Sequence, residues 1–235
     1  MKKLLGLAVL IFALPLAVMA DGVSLGPCPT ASLSTYVAPE FSCTIGDKVF
    51  SDFGYTSSGP DPLLSGDITV TPDPALLNPG LKFTGIWGAQ PGQHNDSNIS
   101  YTVTVLPGGG LIDDASLSIG GSSVSGSGLV TVAEDICAGG SLPACDPGTF
   151  TTLLVSNNGE TIVQYASTTF TPVGMVTVLK DIGLTAGVDG TNFAVLSQVR
   201  NNFSEVPVPE PATLTLLGTG LIGLGGMVRR RLRKK

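Results

Sequence analysis

Basic side chains are scarce through the middle of this 235-residue chain. Between Asp21 and Glu205 the basic residues are Lys48, Lys82, Lys180 and Arg200, against seventeen acids, so this stretch carries −13 while the whole chain carries −6. Such a surface repels nucleic acid and anionic membranes, and neither is expected as its partner. Histidine is limited to His94, in the turn-rich run Gln90–Asn98, where a solvated loop position is the simplest reading. No H-E-x-x-H, G-x-S-x-G or phosphate-cradling loop occurs. The adjacent acids Asp113-Asp114 and Glu134-Asp135 would point to opposite faces of a strand, which is poor geometry for shared acid–base work; turn or solvent-facing acids are the plain reading. No catalytic residue, metal ligand or cofactor is therefore assigned. A glycoside hydrolase would need distant carboxylates meeting in a cleft.

Tryptophan is equally rare. Trp87 falls in step with Leu81 and Phe83, which points to a core position rather than a sugar-stacking platform. Asn95, Asp96 and Asn98 offer oxygens to calcium, but the spacing of a calcium loop is missing. The four cysteines form no close C-x2-4-C pair of the kind that holds zinc. In an oxidising compartment, local disulfides Cys28–Cys43 and Cys137–Cys145 are favoured among the three possible connectivities.

What the chain has in abundance is Thr, Ser, Val and Gly in short alternating runs. Ile99–Val105 places an apolar residue at every second position with hydroxyls between, the period of a half-buried strand. Similar runs occur at 115–119, 174–182 and 192–199. Further candidates are 48–55, 67–71, 81–87, 129–133, 151–156 and 161–165. Pro60-Asp61-Pro62, Asn78-Pro79-Gly80, Asn157-Asn158-Gly159 and similar turn-formers divide them. The Gly/Ser run Gly120–Gly128 reads as a flexible turn. Some ten short strands predict an all-β fold, an antiparallel β-sandwich with jelly-roll or immunoglobulin-like topology.

The two ends differ from this middle. Met1-Lys2-Lys3, an apolar stretch from Leu4 to Leu14, and small or modest residues up to Ala20 before Asp21 have the layout of a secretory signal peptide over residues 1–20, cut between Ala20 and Asp21. The exported domain is then expected at 21–205 and a linker at 206–211. The seventeen uncharged residues 212–228 suffice for a helix of about 25 Å, near the lower limit for a membrane span. Its seven strongly apolar side chains supply only about 2–4 kcal/mol toward insertion, which suits a temporary anchor. Arg229, Arg230, Arg231, Arg233, Lys234 and Lys235 form the basic tail 229–235, a stop-transfer element that stays cytoplasmic. Within the span, Gly218-Thr219-Gly220-Leu221-Ile222-Gly223 fits G-x-G-x-x-G. The twelve residues after it hold no acid for a ribose and no room for a second strand, so a dinucleotide site is not expected.

The order Pro209-Glu210-Pro211, then a short glycine-broken apolar segment, then an arginine-rich end resembles the PEP-CTERM sorting signal of bacterial exported proteins. The resemblance implies recognition of Pro209, Glu210 and Pro211 by an exosortase, a membrane-embedded cysteine transpeptidase that removes the tail. The protein would be anchored transiently in the inner membrane and then passed to the cell surface or extracellular matrix. Cys43–Phe50 followed by Phe53–Ser57 is also similar to a recurrent exported domain that precedes such tails, and that similarity brings no activity with it. The function expected is a structural or interaction protein, with a secreted carbohydrate-binding module acting on extracellular polysaccharide as the alternative.

Overall fold

A computed structural model of the chain describes residues 25–75 and 78–206. Its strands begin with β1 (Ala31–Ser32), β2 (Cys43–Ile45), β3 (Lys48–Ser58), β4 (Thr69–Asp73) and β5 (Gly80–Ala89). They continue as β6 (His94–Val105), β7 (Leu111–Gly120), β8 (Ser123–Ser125), β9 (Leu129–Ala138) and β10 (Thr149–Asn157). The last are β11 (Ile162–Val163), β12 (Tyr165–Val173), β13 (Met175–Thr185), β14 (Phe193–Asn202) and β15 (Glu205–Val206). One four-residue helix, α1 (Leu33–Tyr36), follows β1. No helix among the described residues is long and apolar enough to cross a membrane. The expected signal peptide, the Ala20/Asp21 cut, the sorting residues Pro209, Glu210 and Pro211, the span at 212–228 and the basic tail lie outside the described residues.

The strands form two antiparallel sheets. A seven-stranded sheet has the order β11-β10-β9-β13-β6-β3-β2, and an eight-stranded sheet the order β1-β4-β5-β14-β7-β12, with β15 beside β7 and β8 beside β14. The expected β-sandwich follows from side-chain alternation. On β6, Asn95, Ser97, Ile99, Tyr101 and Val103 turn inward and are buried, while Asp96, Asn98, Ser100 and Thr102 turn outward. On β13 the inward set is Val176, Val178, Lys180, Ile182 and Leu184. Facing them from the other sheet are Leu81, Phe83 and Trp87 of β5 and Leu196 and Val199 of β14. Trp87 is 2% exposed, so the core reading of this residue holds.

Three local expectations differ. Within Gly120–Gly128, read as a flexible turn, Ser123–Ser125 forms β8 and pairs with Phe193–Val195; hydroxyl and glycine content hides a strand whose partner supplies the apolar side chains. The run Gln90–Asn98 is a turn only at its start, because β6 begins at His94. The strand expected at 161–165 is instead β11 and then the longer β12, with Pro172 inside it. Proline is tolerated there because β12 is a sheet edge, where a missing N–H breaks no ladder.

Both disulfides take the local pairing. Cys28–Cys43 fastens the segment before β1 to β2, assisted by Cys28 N donating to Thr44 O at 2.9 Å. Cys137–Cys145 closes the loop that follows β9. That loop is packed tightly enough to require glycine: a Cβ on Gly140 would lie 2.2 Å from the carbonyl oxygen of Pro147.

Candidate functional site

A bulge on β3 shapes the most distinctive surface of the molecule. Phe50 and Phe53 are three residues apart, an odd spacing that would put them on opposite faces of a regular strand. Both nevertheless contact Tyr101, Phe53 stacking on it with ring centroids 5.4 Å apart and Phe50 at 6.3 Å. The backbone makes this possible with one extra residue: Ser51 pairs with Thr102 and Gly54 with Ser100, three steps on β3 against two on β6. Asp52 occupies the extra position at φ +56°, a left-handed conformation that asparagine and aspartate tolerate better than most side chains. It is exposed, and its Oδ2 accepts the Ser51 hydroxyl at 2.9 Å. Gly54 lets the strands close up, since a Cβ there would lie 2.6 Å from Ser100 Oγ.

Two hollows share Asp52 as a lining residue. One, about 440 Å³, lies on the outer face of the seven-stranded sheet between Asp52, the outward hydroxyls Ser100, Thr102 and Thr177, and the wall formed by Ser141, Leu142 and Pro143. The other, about 350 Å³, runs from Asp52 past Phe53 and Phe41 to Glu40 and Pro39. The wall of the first is held in place by Thr177, whose Oγ1 donates to Gly140 O at 3.1 Å, and by Gly139 N donating to Met175 O at 2.9 Å. The non-glycine residues with positive φ among the described residues are Glu40, Asp52 and Cys145. Two of them line the groove, and the third closes the disulfide behind its wall. Backbone strain of this kind costs about 1–3 kcal/mol per residue and gathers at functional positions.

A second constellation lies inside the sandwich. Lys180 of β13 is directly opposite Glu134 of β9, and both are fully buried. Lys180 Nζ donates to Glu134 Oε2 and to Asn201 Oδ1 of β14, while Asn201 Nδ2 donates to Glu134 Oε1 and to Ser116 O. Burial pushes the Glu134 carboxyl up, and the charge and hydrogen bonds of Lys180 and Asn201 reverse only part of that. Burial likewise pulls the Lys180 ammonium down against the opposing charge of Glu134. This closed network joins the two sheets and has no opening for a substrate, so its role is structural.

A third lies where the domain ends. Lys48 of β3 is fully buried and pairs with Asp47 at 3.0 Å and with Glu205 of β15. Partial burial raises the Asp47 carboxyl, but hydrogen bonds from Lys48 and the Gly110 amide and the Lys48 charge outweigh it and hold the carboxyl below its ordinary value. Val206 pairs with Leu111, so the ordered domain runs one residue into the linker expected from 206.

The remaining sequence candidates are dispersed. His94 stands in a strand rather than a loop, exposed, with Nε2 2.8 Å from Asp96 and Nδ1 2.7 Å from Thr185 Oγ1. Calcium ligation by Asn95, Asp96 and Asn98 is contradicted by alternation: Asn95 points inward, where Nδ2 donates to Gly88 O and Oδ1 accepts Asp61 N. Asp114 accepts the Ser204 amide at 2.9 Å. Glu134 and Asp135 do point to opposite faces, yet Glu134 is a buried ion-pair partner rather than a solvent-facing acid. Enclosure of Trp87 removes the sugar-stacking platform built on that residue, and of the four tyrosines Tyr165 is the exposed one. Sequence reading missed the groove, although the odd Phe50–Phe53 spacing signals its bulge.

No curated protein matches the chain. Among solved structures it is similar to TmCBM61 in complex with beta-1,4-galactotriose, at 11% identity, 64% of this chain, 88% of that chain and TM-score 0.30. It is also similar to the glycosylation-associated Gap123 complex of Streptococcus agalactiae, at 12% identity, 64% and 26% coverage and TM-score 0.29. A third likeness is to promiscuous carbohydrate-binding modules of the β-sandwich superfamily, at 11% identity, 78% and 58% coverage and TM-score 0.24. At such scores these likenesses assign no ligand. Residues 207–231 match the family model of the PEP-CTERM protein-sorting motif, and the chain therefore carries an all-β domain over its described residues and a PEP-CTERM sorting motif that begins at the residue after β15.

Proposed function

We propose that this chain is an exported, non-enzymatic interaction protein that is anchored briefly in the inner membrane, cut at its PEP-CTERM motif by an exosortase, and delivered to the cell surface or extracellular matrix. The observation that carries the reading is the motif match at 207–231, which begins at the residue after β15. Two further features support it. Two disulfides suit an oxidising compartment. The acidic domain, at −13, suits a soluble surface protein that avoids anionic membranes once released.

The test is mass spectrometry of envelope and medium fractions from cells with an active sorting enzyme. The product should begin at Asp21, end close to Pro209-Glu210-Pro211, and lack the basic tail. Glu210→Ala removes the charge between Glu205 and Arg229 without altering the apolar segment. Membrane insertion should then persist while cleavage falls. Processing of Glu210→Ala at the normal rate would mean that the tail is an anchor cut by a general protease.

A further inference from the structure

We propose that the groove centred on Asp52 binds an uncharged polysaccharide chain. The inference names the partner of the interaction protein proposed above and rests on that reading for its location outside the cell. Three observations carry it: the shape of the groove, its chemistry and its place on the sheet.

The shape is that of two hollows of about 440 and 350 Å³ sharing one lining residue. Each lies toward the small end of ligand pockets, which span about 300–1,000 Å³. Two hollows of this size that share one wall residue suit successive units of a polymer better than one compact molecule.

The chemistry is that of a sugar chain. A hexose presents hydroxyl donors and acceptors around its rim and C–H surface on its faces. Asp52 and Glu40 supply carboxylate acceptors, and hydrogen bonds to ionised acceptors are the stronger kind. Ser100 and Thr102 supply hydroxyls from the sheet face, and Leu142-Pro143 and Phe53 supply apolar surface. None of the lining residues is basic, so a polyanionic chain would meet two carboxylates with no counter-charge.

The place of the first hollow argues against a peptide there, while β3 from Ser51 on is paired with β6 alone. Extended peptides bind by adding a strand to an open sheet edge. The first hollow instead lies over β6 and β13, interior strands of the seven-stranded sheet with neighbours on both sides. Their backbone groups are already engaged in ladders, which leaves side chains to do the recognition. The left-handed backbone at Asp52 fits this use, because the bulge re-aims a carboxylate outward at a point where a regular strand would not.

The test is isothermal titration calorimetry of the full-length chain in detergent against neutral oligosaccharides of two to six units, matched uronic-acid oligomers and an extended peptide. Affinity for neutral oligomers should rise about tenfold with length as the second hollow fills, a difference of about 1.4 kcal/mol. Asp52→Asn and Thr102→Val, which keep side-chain shape, should each weaken binding at least about tenfold. Tyr165→Ser and Ile86→Ser, on exposed residues away from the groove, should leave it unchanged. Circular dichroism of each variant confirms folding. The proposal is overturned if no neutral oligomer binds, if uronic-acid oligomers or the peptide bind as well or better, or if Tyr165→Ser abolishes binding while the groove variants do not. Since processing is not needed for titration, failure here leaves the sorting reading standing, and normal processing of Glu210→Ala leaves the groove standing.

Discussion

Replacing Lys180 by methionine tests whether the buried network is a liability held in balance. Methionine keeps most of the volume and removes the ammonium. Glu134 then keeps a single side-chain donor, Asn201 Nδ2, inside a fully enclosed site. Removing one partner of a buried pair costs about 3–5 kcal/mol, a large share of the about 5–15 kcal/mol that holds a domain together. With an m-value of about 2 kcal/mol/M, the urea midpoint should drop by about 1.5–2.5 M at pH 8. The loss should shrink at pH 5. Without Lys180 the folded-state carboxyl rises further above its value of about 4.3 in the unfolded chain, so the folded state binds a proton that the unfolded state releases. Stability is then greatest below the unfolded value and declines as pH rises through the folded one. Lys180→Met/Glu134→Leu should recover about half of the loss, leaving about 1–3 kcal/mol for the unpartnered Asn201 Oδ1. Burial shifts both partners toward their neutral forms, and such pairs are replaceable by apolar side chains. A loss below about 1 kcal/mol at pH 8, unchanged at pH 5, would refute this account.

Three further outcomes are expected. Lys48→Met should lower the hydrogen-exchange protection factor at Val206, because β15 is held by two paired residues and this ion pair; in the wild type the contribution of Asp47, whose folded carboxyl lies below its ordinary value, is present above the unfolded value and lost as pH falls through the lower folded one, so the protection factor at Val206 should fall there. Replacing Cys28 and Cys43 together by alanine should cost about 3 kcal/mol in the chain-entropy account, and the shorter Cys137–Cys145 loop about 2.5 kcal/mol, both read from urea midpoints under oxidising conditions. Asp52→Gly should stabilise the domain by about 1 kcal/mol in the same assay, because relief of the left-handed backbone, about 1–3 kcal/mol, outweighs the about 0.5–1 kcal/mol cost of glycine's added unfolded-state freedom.

Fold class was legible in the sequence because alternation is a local property. Ile99–Val105 announces its inward face without reference to any partner, and Trp87 could be placed in the core from its step with Leu81 and Phe83. The disulfide pairing was legible for a similar reason, since each pair is close in the chain. Strands whose apolar partners lie elsewhere escaped detection. Ser123–Ser125 has little hydrophobic signal of its own and is a strand through Phe193–Val195. Glu134 escaped for the opposite reason. Next to Asp135 it reads as half of a surface acid pair, and its partners, Lys180 and Asn201, are 46 and 67 residues away. The groove combines both difficulties: its hydroxyls come from β6 and β13, its acids from β3 and the loop after α1, and its wall from the loop after β9.

The ion pair at Lys48 connects the fold to the sorting step. Lys48 belongs to the seven-stranded sheet and Glu205 to a strand on the eight-stranded one, so the pair bridges the two sheets at the point where the chain leaves the domain. The sorting-motif match begins at residue 207, directly after Val206. A pull on the motif would therefore load β15 first. Peeling β15 would take Glu205 from a buried ammonium, the costly way to break such a pair. That cost would keep the strand seated against a pull from the chain that follows Val206.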